Sequence, residues 1–284
     1  MSILIDFHPV MISNAMQQIK HNSDLQEDLI RHMVLTSLLG YKRKFQDQYG
    51  KLVICCDGKN CWRKSSFKYY KAGRKKTRDA SALDWHMMFD ILNKVKSELK
   101  EHFPYKFIQV DGAEADDVIY VMCKNKNILE KSLIVSSDKD MKQLLKFNNV
   151  DFYSIYHKTM LDVENPTKFL KEHILTGDPG DGVPNFLSDD DAFENKEKRQ
   201  KQLRKTKIEE YMSMNPTDFK DDKLRRNYDR NRLMIDLDCI PENVQSNILN
   251  ECNTVAVSDG KNLFDYFMKN RLKLLMEDLP EFLR

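Results

Sequence analysis

The chain has 284 residues, 41% of them hydrophobic, and its 46 basic and 44 acidic side chains leave a formal net charge of only +2. This excludes a disordered or fibrous protein, and so small a net charge singles out no partner by itself. No stretch reaches the roughly 18 to 20 apolar residues of a membrane span and no leader opens the sequence, so a cytoplasmic protein with no membrane partner is expected.

The first apolar run, Ile3 to Ile5, ends at Asp6. A helical pattern follows, with Leu25, Leu29, Ile30, Met33, Val34 and Leu38 returning to one face, and a capping box is expected from Ser23 with Gln26 or Asp24 with Glu27. The second run, Leu52 to Cys56, ends at Asp57. From there to Asp79 no acid occurs, while Lys59, Arg63, Lys64, Lys68, Lys71, Arg74, Lys75, Lys76 and Arg78 interleave with Trp62, Phe67, Tyr69 and Tyr70. Aromatics among cations suit a single nucleic-acid strand, since bases stack on rings and phosphates pair with cations. The alternative is a solvated basic helix.

Leu83 to Leu99 repeats the amphipathic pattern, Phe107 to Val110 leads to Asp111 and Glu114, and Ala113 to Cys123 opens another helix. Leu133 to Ser137 ends at Asp138. Short apolar runs alternating with helices predict an α/β domain over residues 1–165, built on a mostly parallel, doubly wound sheet. A smaller helical domain, 166–284, is expected to open with the helix from Pro166 through Ile174 to a stop at Gly177. Residues 188–207 are mostly charged and contain the basic run Lys196, Lys198, Arg199, Lys201, Arg204 and Lys205. The cysteines (Cys55, Cys56, Cys61, Cys123, Cys239 and Cys252) show neither a C-x-x-C pair nor zinc spacing and read as reduced and structural.

Acids at the carboxyl ends of parallel strands converge on one edge, where ligands of such sheets bind. To these are added Glu114-Ala115-Asp116-Asp117, Asp138-Lys139-Asp140 and Gly177-Asp178 with Asp181. Clustered carboxylates repel one another unless cations neutralise them, which implies hard metals such as Mg2+ or Mn2+. Two clusters of oxygen ligands suit two-metal phosphodiester hydrolysis. Two other classes compete. A phosphate-receiving signalling module would use a strand-end Asp57 but leaves Asp178, Asp181 and the cationic segment unused. A haloacid-dehalogenase-like phosphatase wants an acid at position 8, which is His8. A non-catalytic protein that binds branched DNA is a third alternative.

The ordered series Leu4-Ile5-Asp6-Phe7, Cys56-Asp57, Trp62-Arg63 to Tyr69-Tyr70-Lys71, Glu114-Ala115-Asp116-Asp117, Ser136-Ser137-Asp138-Lys139-Asp140, Gly177-Asp178 with Asp181, and Leu233-Met234-Ile235-Asp236 with Ile240-Pro241 resembles the flap endonuclease and 5′ nuclease superfamily, within it the ribonucleases H of T-even phages. The resemblance implies Mg2+-dependent removal of RNA primers and adjoining DNA in the 5′-to-3′ direction, with flap cutting. It implies two Mg2+ ions, with Mn2+ able to substitute. Asp6, Asp57, Glu114, Asp116, Asp117 and Asp138 would serve the first metal and Asp140, Asp178 and Asp181 the second. Lys71 and Arg74 would contact the scissile phosphate, while Arg63, Lys64, Lys68, Tyr70, Lys75 and Lys76 would meet the substrate strand within an arch or bridge over residues 58–82. Implied partners are branched or nicked duplex DNA and RNA/DNA hybrid, with a phage single-strand-binding protein and sliding clamp, the chain acting as a monomer in the infected host cell. Members of the superfamily continue after the last acids into a Gly-rich hairpin that grips duplex, whereas here the charged 188–207 stretch follows. Either Lys198, Arg199, Lys201 and Arg204 replace that grip by phosphate contacts, or the stretch is mobile until DNA binds.

Overall fold

A computed structural model describes residues 1–21, 24–81, 83–126, 130–195 and 197–284. The four apolar runs become parallel strands β1 (Ser2–Asp6), β2 (Lys51–Cys56), β3 (Lys106–Gln109) and β4 (Ser132–Ser136), buried on both faces as their unbroken hydrophobicity requires. Two further strands, β5 (Val150–Ser154) and β6 (Thr159–Leu161), were not expected from the sequence because they are short and carry polar residues. The order is β3-β2-β1-β4-β5-β6, with β6 antiparallel to β5 and all other pairs parallel.

On one face of the sheet lie α1 (Phe7–His21), α2 (Glu27–Tyr49) and α5 (Trp85–His102). Between β2 and α5 the chain forms two short helices, α3 (Trp62–Ser66) and α4 (Gly73–Asp79). On the opposite face α6 (Ala115–Lys124) shares a core with α7 (Pro166–Thr176), α8 (Lys205–Ser213), α9 (Asp222–Ile235) and α10 (Glu242–Thr254). The chain then returns to the first face with α11 (Leu263–Lys269) and α12 (Leu279–Leu283), whose Phe267 and Phe282 pack on Phe103. Both faces are thus covered, and side chains alternate between them: Leu4, Val53 and Ile134 face α6, while Ile3, Ile5, Ile54 and Val135 face α2.

Helix α1 was not read from the sequence, although Phe7, Val10, Met11 and Ala15 bury one stripe. The expected capping box on α2 is not made. Its N-cap is Gln26 without a side-chain cap, and Ser23 lies outside the described residues. The turn is held from α1 instead, where Gln18 donates to Asp24 O at 2.8 Å and accepts from Gln26 N at 3.3 Å. Helix α7 meets expectation: Asn165 caps Lys168 N at 2.8 Å, and Gly177 ends it at φ +71°. The charged stretch after Asp181 is folded onto the body, where Asn227 of α9 donates to Ser188 O at 3.0 Å, and it is closed on itself by Ser188 Oγ accepting from Lys201 N at 2.8 Å and Asn185 donating to Lys201 O at 2.7 Å. All six cysteines are free, and among the described residues no helix is long and apolar enough to cross a membrane.

Candidate active site

The order in which the chain adds parallel strands reverses between β1 and β4, and the acids gather at that switch point. Asp6, the last residue of β1, is buried and accepts from Ser136 Oγ at 2.6 Å. Burial, aided by the charges of Asp57 and Asp138 and opposed by the Ser136 hydrogen bond, pushes its carboxyl up to about 8. Asp57 follows β2 and accepts from Ala115 N at 2.9 Å. Gly58 behind it has no room for a side chain, since a Cβ would stand 1.9 Å from Val110 O. Asp111 turns away to Lys59 N at 3.1 Å and takes no part.

The start of α6 supplies three more acids. Glu114 accepts from Lys71 Nζ at 2.6 Å, Tyr70 OH at 2.8 Å and Arg63 Nη1 at 3.1 Å. Burial raises its pKa, but Lys71 and Arg63 outweigh burial and hold the carboxyl at about 2. Asp116 stands 3.6 Å from Arg63 Nη2, and burial with its acidic neighbours pushes it well above the carboxylate range despite that cation. Asp117 is fully buried. Its oxygens meet Trp62 Nε1 at 3.1 Å, Glu114 N at 2.9 Å and Arg63 Nη2 at 2.8 Å, so they face the protein rather than the open edge.

Arg63 and Tyr70, expected on the substrate strand, are corrected by burial, at 1% and 4% exposure. Arg63 also donates to Met234 O at 3.0 Å, tying the acid edge to α9. Tyr70 OH bridges Glu114 and Asp181, 3.1 Å away on the second side. An unpaired cation or phenol at these depths would be costly, and the acids around α6 satisfy both.

A second group forms where β4 and α7 end. Asp138 caps the 3-10 turn Lys139–Lys146 by accepting from Asp140 N at 2.9 Å, and partial enclosure plus the charges of Asp181 and Asp178 push it upward. Asp178 accepts from Gly180 N at 2.8 Å and Asp181 N at 3.2 Å, and meets Lys139 Nζ at 3.1 Å and His173 Nε2 at 3.2 Å. Although burial opposes it, the partners His173 and Lys139 keep Asp178 well below the usual carboxylate range. Asp181 pairs with Arg74 Nη2 at 2.5 Å and lies 3.7 Å from Lys71 Nζ. The ligand atoms of Asp140, His173 and Asp178 all lie within 4.8 Å of one another, a group able to hold a divalent cation.

The predicted cations divide by environment. Lys71 spans both groups: its N–H donates to Asp181 O at 2.8 Å and its backbone takes φ +56°. That bend fits against Gly182, where a Cβ would stand 2.6 Å from Tyr69 O. Lys64, Lys68 and Lys75 are exposed, and Lys76 pairs with Glu194 at 2.5 Å. Of the second run, Lys198 is paired with Asp191 at 2.9 Å, whereas Arg199, Lys201 and Arg204 are exposed and make no side-chain hydrogen bond or ion pair among the described residues. Lys196 lies outside the described residues.

Residues 4–173 match the N-terminal resolvase-like domain of 5′–3′ exonucleases, and residues 167–282 match the C-terminal domain of T4 RNase H. The chain is 32% identical to the ribonuclease H of Enterobacteria phage T4 over 98% of its own length and 95% of that protein's. It belongs to the 5′–3′ exonuclease family. This 5′–3′ nuclease is also 28% identical, over 50% of each chain, to a 5′–3′ exonuclease of Buchnera aphidicola, and 33% identical to the flap endonuclease Xni of Shewanella pealeana over 43% of this chain and 48% of that one. In fold it is similar to a phage T5 flap endonuclease solved with DNA and metal ions (TM-score 0.65, 15% identity, 89% of this chain and 99% of that one).

For this exonuclease, sequence reasoning missed His173, Ser136 and Lys139. Each contacts a strand-end or loop acid; Ser136 and Lys139 stand inside the Ser136-Ser137-Asp138-Lys139-Asp140 motif without being acids themselves, whereas His173 belongs to no motif. The faint signal for His173 was its place in the last turn of α7, one turn before Gly177-Asp178, where its ring can meet the loop that follows.

Proposed function

We propose that this chain is a Mg2+-dependent nuclease that removes RNA primers and adjoining DNA in the 5′-to-3′ direction and cuts 5′ flaps during phage DNA replication. The observation that carries the reading is the span of Lys71 between Glu114 and Asp181, which places an ammonium over two acid groups at one sheet edge. Mg2+ at the two groups, or Mn2+ in its place, supplies charge stabilisation to the attacking and leaving oxygens of the phosphodiester. The buried carboxylate of Asp6 and the half-buried one of Asp116 fit such cations, because without them their charged forms are disfavoured.

Of the protein's own groups, Lys71 and Arg74 orient the scissile phosphate and stabilise the charge that develops on it. Lys64, Lys68 and Lys75 hold the strand, and Arg63 and Tyr70 act from beneath by fixing Glu114 and Asp181. A cleft of about 980 Å3 beside Arg74 is lined by His8, Arg78, Trp85, Phe89 and Tyr156, a surface on which bases of a 5′ single strand can stack. In this reading residues 1–165 are the nuclease domain, with the bridge at 58–82, and residues 166–284 bind duplex. The partners are branched or nicked DNA, RNA/DNA hybrid, a phage single-strand-binding protein and the sliding clamp, with the chain working as a monomer in the host cytoplasm. The names of the relatives, a ribonuclease H and flap endonucleases, support this breadth. The test is cleavage of 5′-labelled flap, nicked and RNA-primed duplexes with Mg2+, Mn2+ or EDTA. Binding without cleavage in either metal would leave a branched-DNA-binding protein instead.

A further inference from the structure

His173 is 6% exposed, and its two ring nitrogens face two different carboxylates. Nε2 is 3.2 Å from Asp178 Oδ2. The oxygens of Asp178 already receive Gly180 N, Asp181 N and Lys139 Nζ, so with the imidazole N–H its four lone-pair positions are filled. No free lone pair is left for a cation. A carboxylate only accepts, so that hydrogen bond requires the proton on Nε2, and in the neutral imidazole the lone pair is then on Nδ1.

Nδ1 in turn faces Asp140 Oδ1 at 3.2 Å, and both atoms are buried without a hydrogen-bond partner. Two buried acceptors this close repel unless a metal cation or a second ring proton relieves the contact, and the missing hydrogen bond between them favours the metal. Adjacent ligands of an octahedral ion, each roughly 2.1 to 2.2 Å from it, stand roughly 3 Å apart, which matches this pair. Imidazole behind a carboxylate is the arrangement by which proteins orient a histidine ligand.

We propose that Asp140 Oδ1 and His173 Nδ1 are direct ligands of one divalent cation, with Asp178 orienting the imidazole rather than binding metal itself. The second site is then a mixed nitrogen and oxygen site that favours Mn2+ over Mg2+, beside an all-oxygen first site at Asp6, Asp57 and Asp116. This rests on the two-cation nuclease reading and redraws one of its sites.

The test is made on the full chain without DNA. Pulsed electron paramagnetic resonance with about half an equivalent of Mn2+, which fills the tighter site first, is expected to show a directly bound nitrogen. The signal should vanish in His173→Gln and persist in Asp178→Asn. Calorimetric titration should show two Mn2+ sites in the wild type and a loss of at least tenfold in affinity at one of them in His173→Gln. The other site, unchanged, reports that the variant is folded. Mg2+ affinity should fall by no more than about threefold, since Mg2+ gains little from imidazole. Two bound Mn2+ ions with no nitrogen coupling, or coupling unchanged in His173→Gln, would overturn the assignment while leaving the nuclease reading intact. Absence of any Mn2+ binding by the wild type would overturn both.

Discussion

Lys71 Nζ donates to Glu114 Oε1 at 2.6 Å, joining the loop after α3 to the N-cap of α6. With its N–H held by Asp181 O at 2.8 Å, the residue is fixed from two sides, and its ammonium is part of a preorganised site. Lys71→Ala should therefore lower the single-turnover cleavage rate by on the order of 10² to 10³ at saturating substrate. Weaker binding with an unchanged saturated rate would assign Lys71 to substrate holding alone.

Asp57→Asn and Asp138→Asn each remove a charge from the acid edge and leave Lys64, Lys68, Lys75 and Arg74 in place. Cleavage at ordinary Mg2+ should be lost, while flap binding, followed by fluorescence anisotropy, stays within about tenfold of wild type. Normal turnover in either variant would remove these two acids from the metal sites.

Metal-free stability should fall as pH rises, and Asp6 sets the window. Its carboxyl, ordinarily near 3.8, is pushed up to about 8 in the fold. Between these values the folded state binds a proton that the unfolded state has lost, so stability declines across that range and is lowest above pH 8. Thermal unfolding in EDTA should show this slope, and Asp6→Asn should flatten it and raise Tm near pH 8 while abolishing cleavage. Added Mg2+ should restore much of the wild-type Tm at high pH. A wild-type Tm independent of pH from 5 to 8 in EDTA would refute the assignment to Asp6.

Arg63→Met removes a buried guanidinium from Glu114, Asp116 and Asp117 and from Met234 O. Uncompensated buried carboxylates should cost about 3 to 5 kcal/mol in urea unfolding. The affinity of the folded fraction for DNA should change little. A large affinity loss with stability unchanged would restore Arg63 as a strand contact.

Arg199, Lys201 and Arg204 are exposed and make no side-chain ion pair among the described residues, whereas Lys198 is engaged by Asp191. Replacing the three with Ala should reduce the slope of log affinity against log salt by up to about three on substrates with a downstream duplex, and little on single strands. Equal slopes before and after substitution on both substrates would show the run to be a solvated face.

Periodicity and charge order determined the parallel core, the strand-end acids and the cationic segment between Asp57 and Asp79, because each is a property of neighbours in the chain. Strands β1 to β4 announce themselves as apolar runs since they are buried on both faces, and Asp6, Asp57 and Asp138 lie where those runs stop. Helix α1, strand β5 and the edge strand β6 were less legible, because polar residues interrupt their patterns.

Tertiary structure alone decided which acids and cations remain available. Asp117, Arg63 and Tyr70 read as site residues by type and spacing, yet Trp62, Glu114 and α9 enclose them, the charges of Asp117 and Arg63 are spent on one another, and the Tyr70 hydroxyl is spent on Glu114 and Asp181. His173 had no motif to mark it. It gained its position between Asp140 and Asp178 only when α7 docked beside the end of β4, bringing together groups 33 and 5 residues away along the chain. Sequence order specifies which chemical groups are present, but burial and long-range contact set their ionisation and their partners, and those follow from how the elements pack.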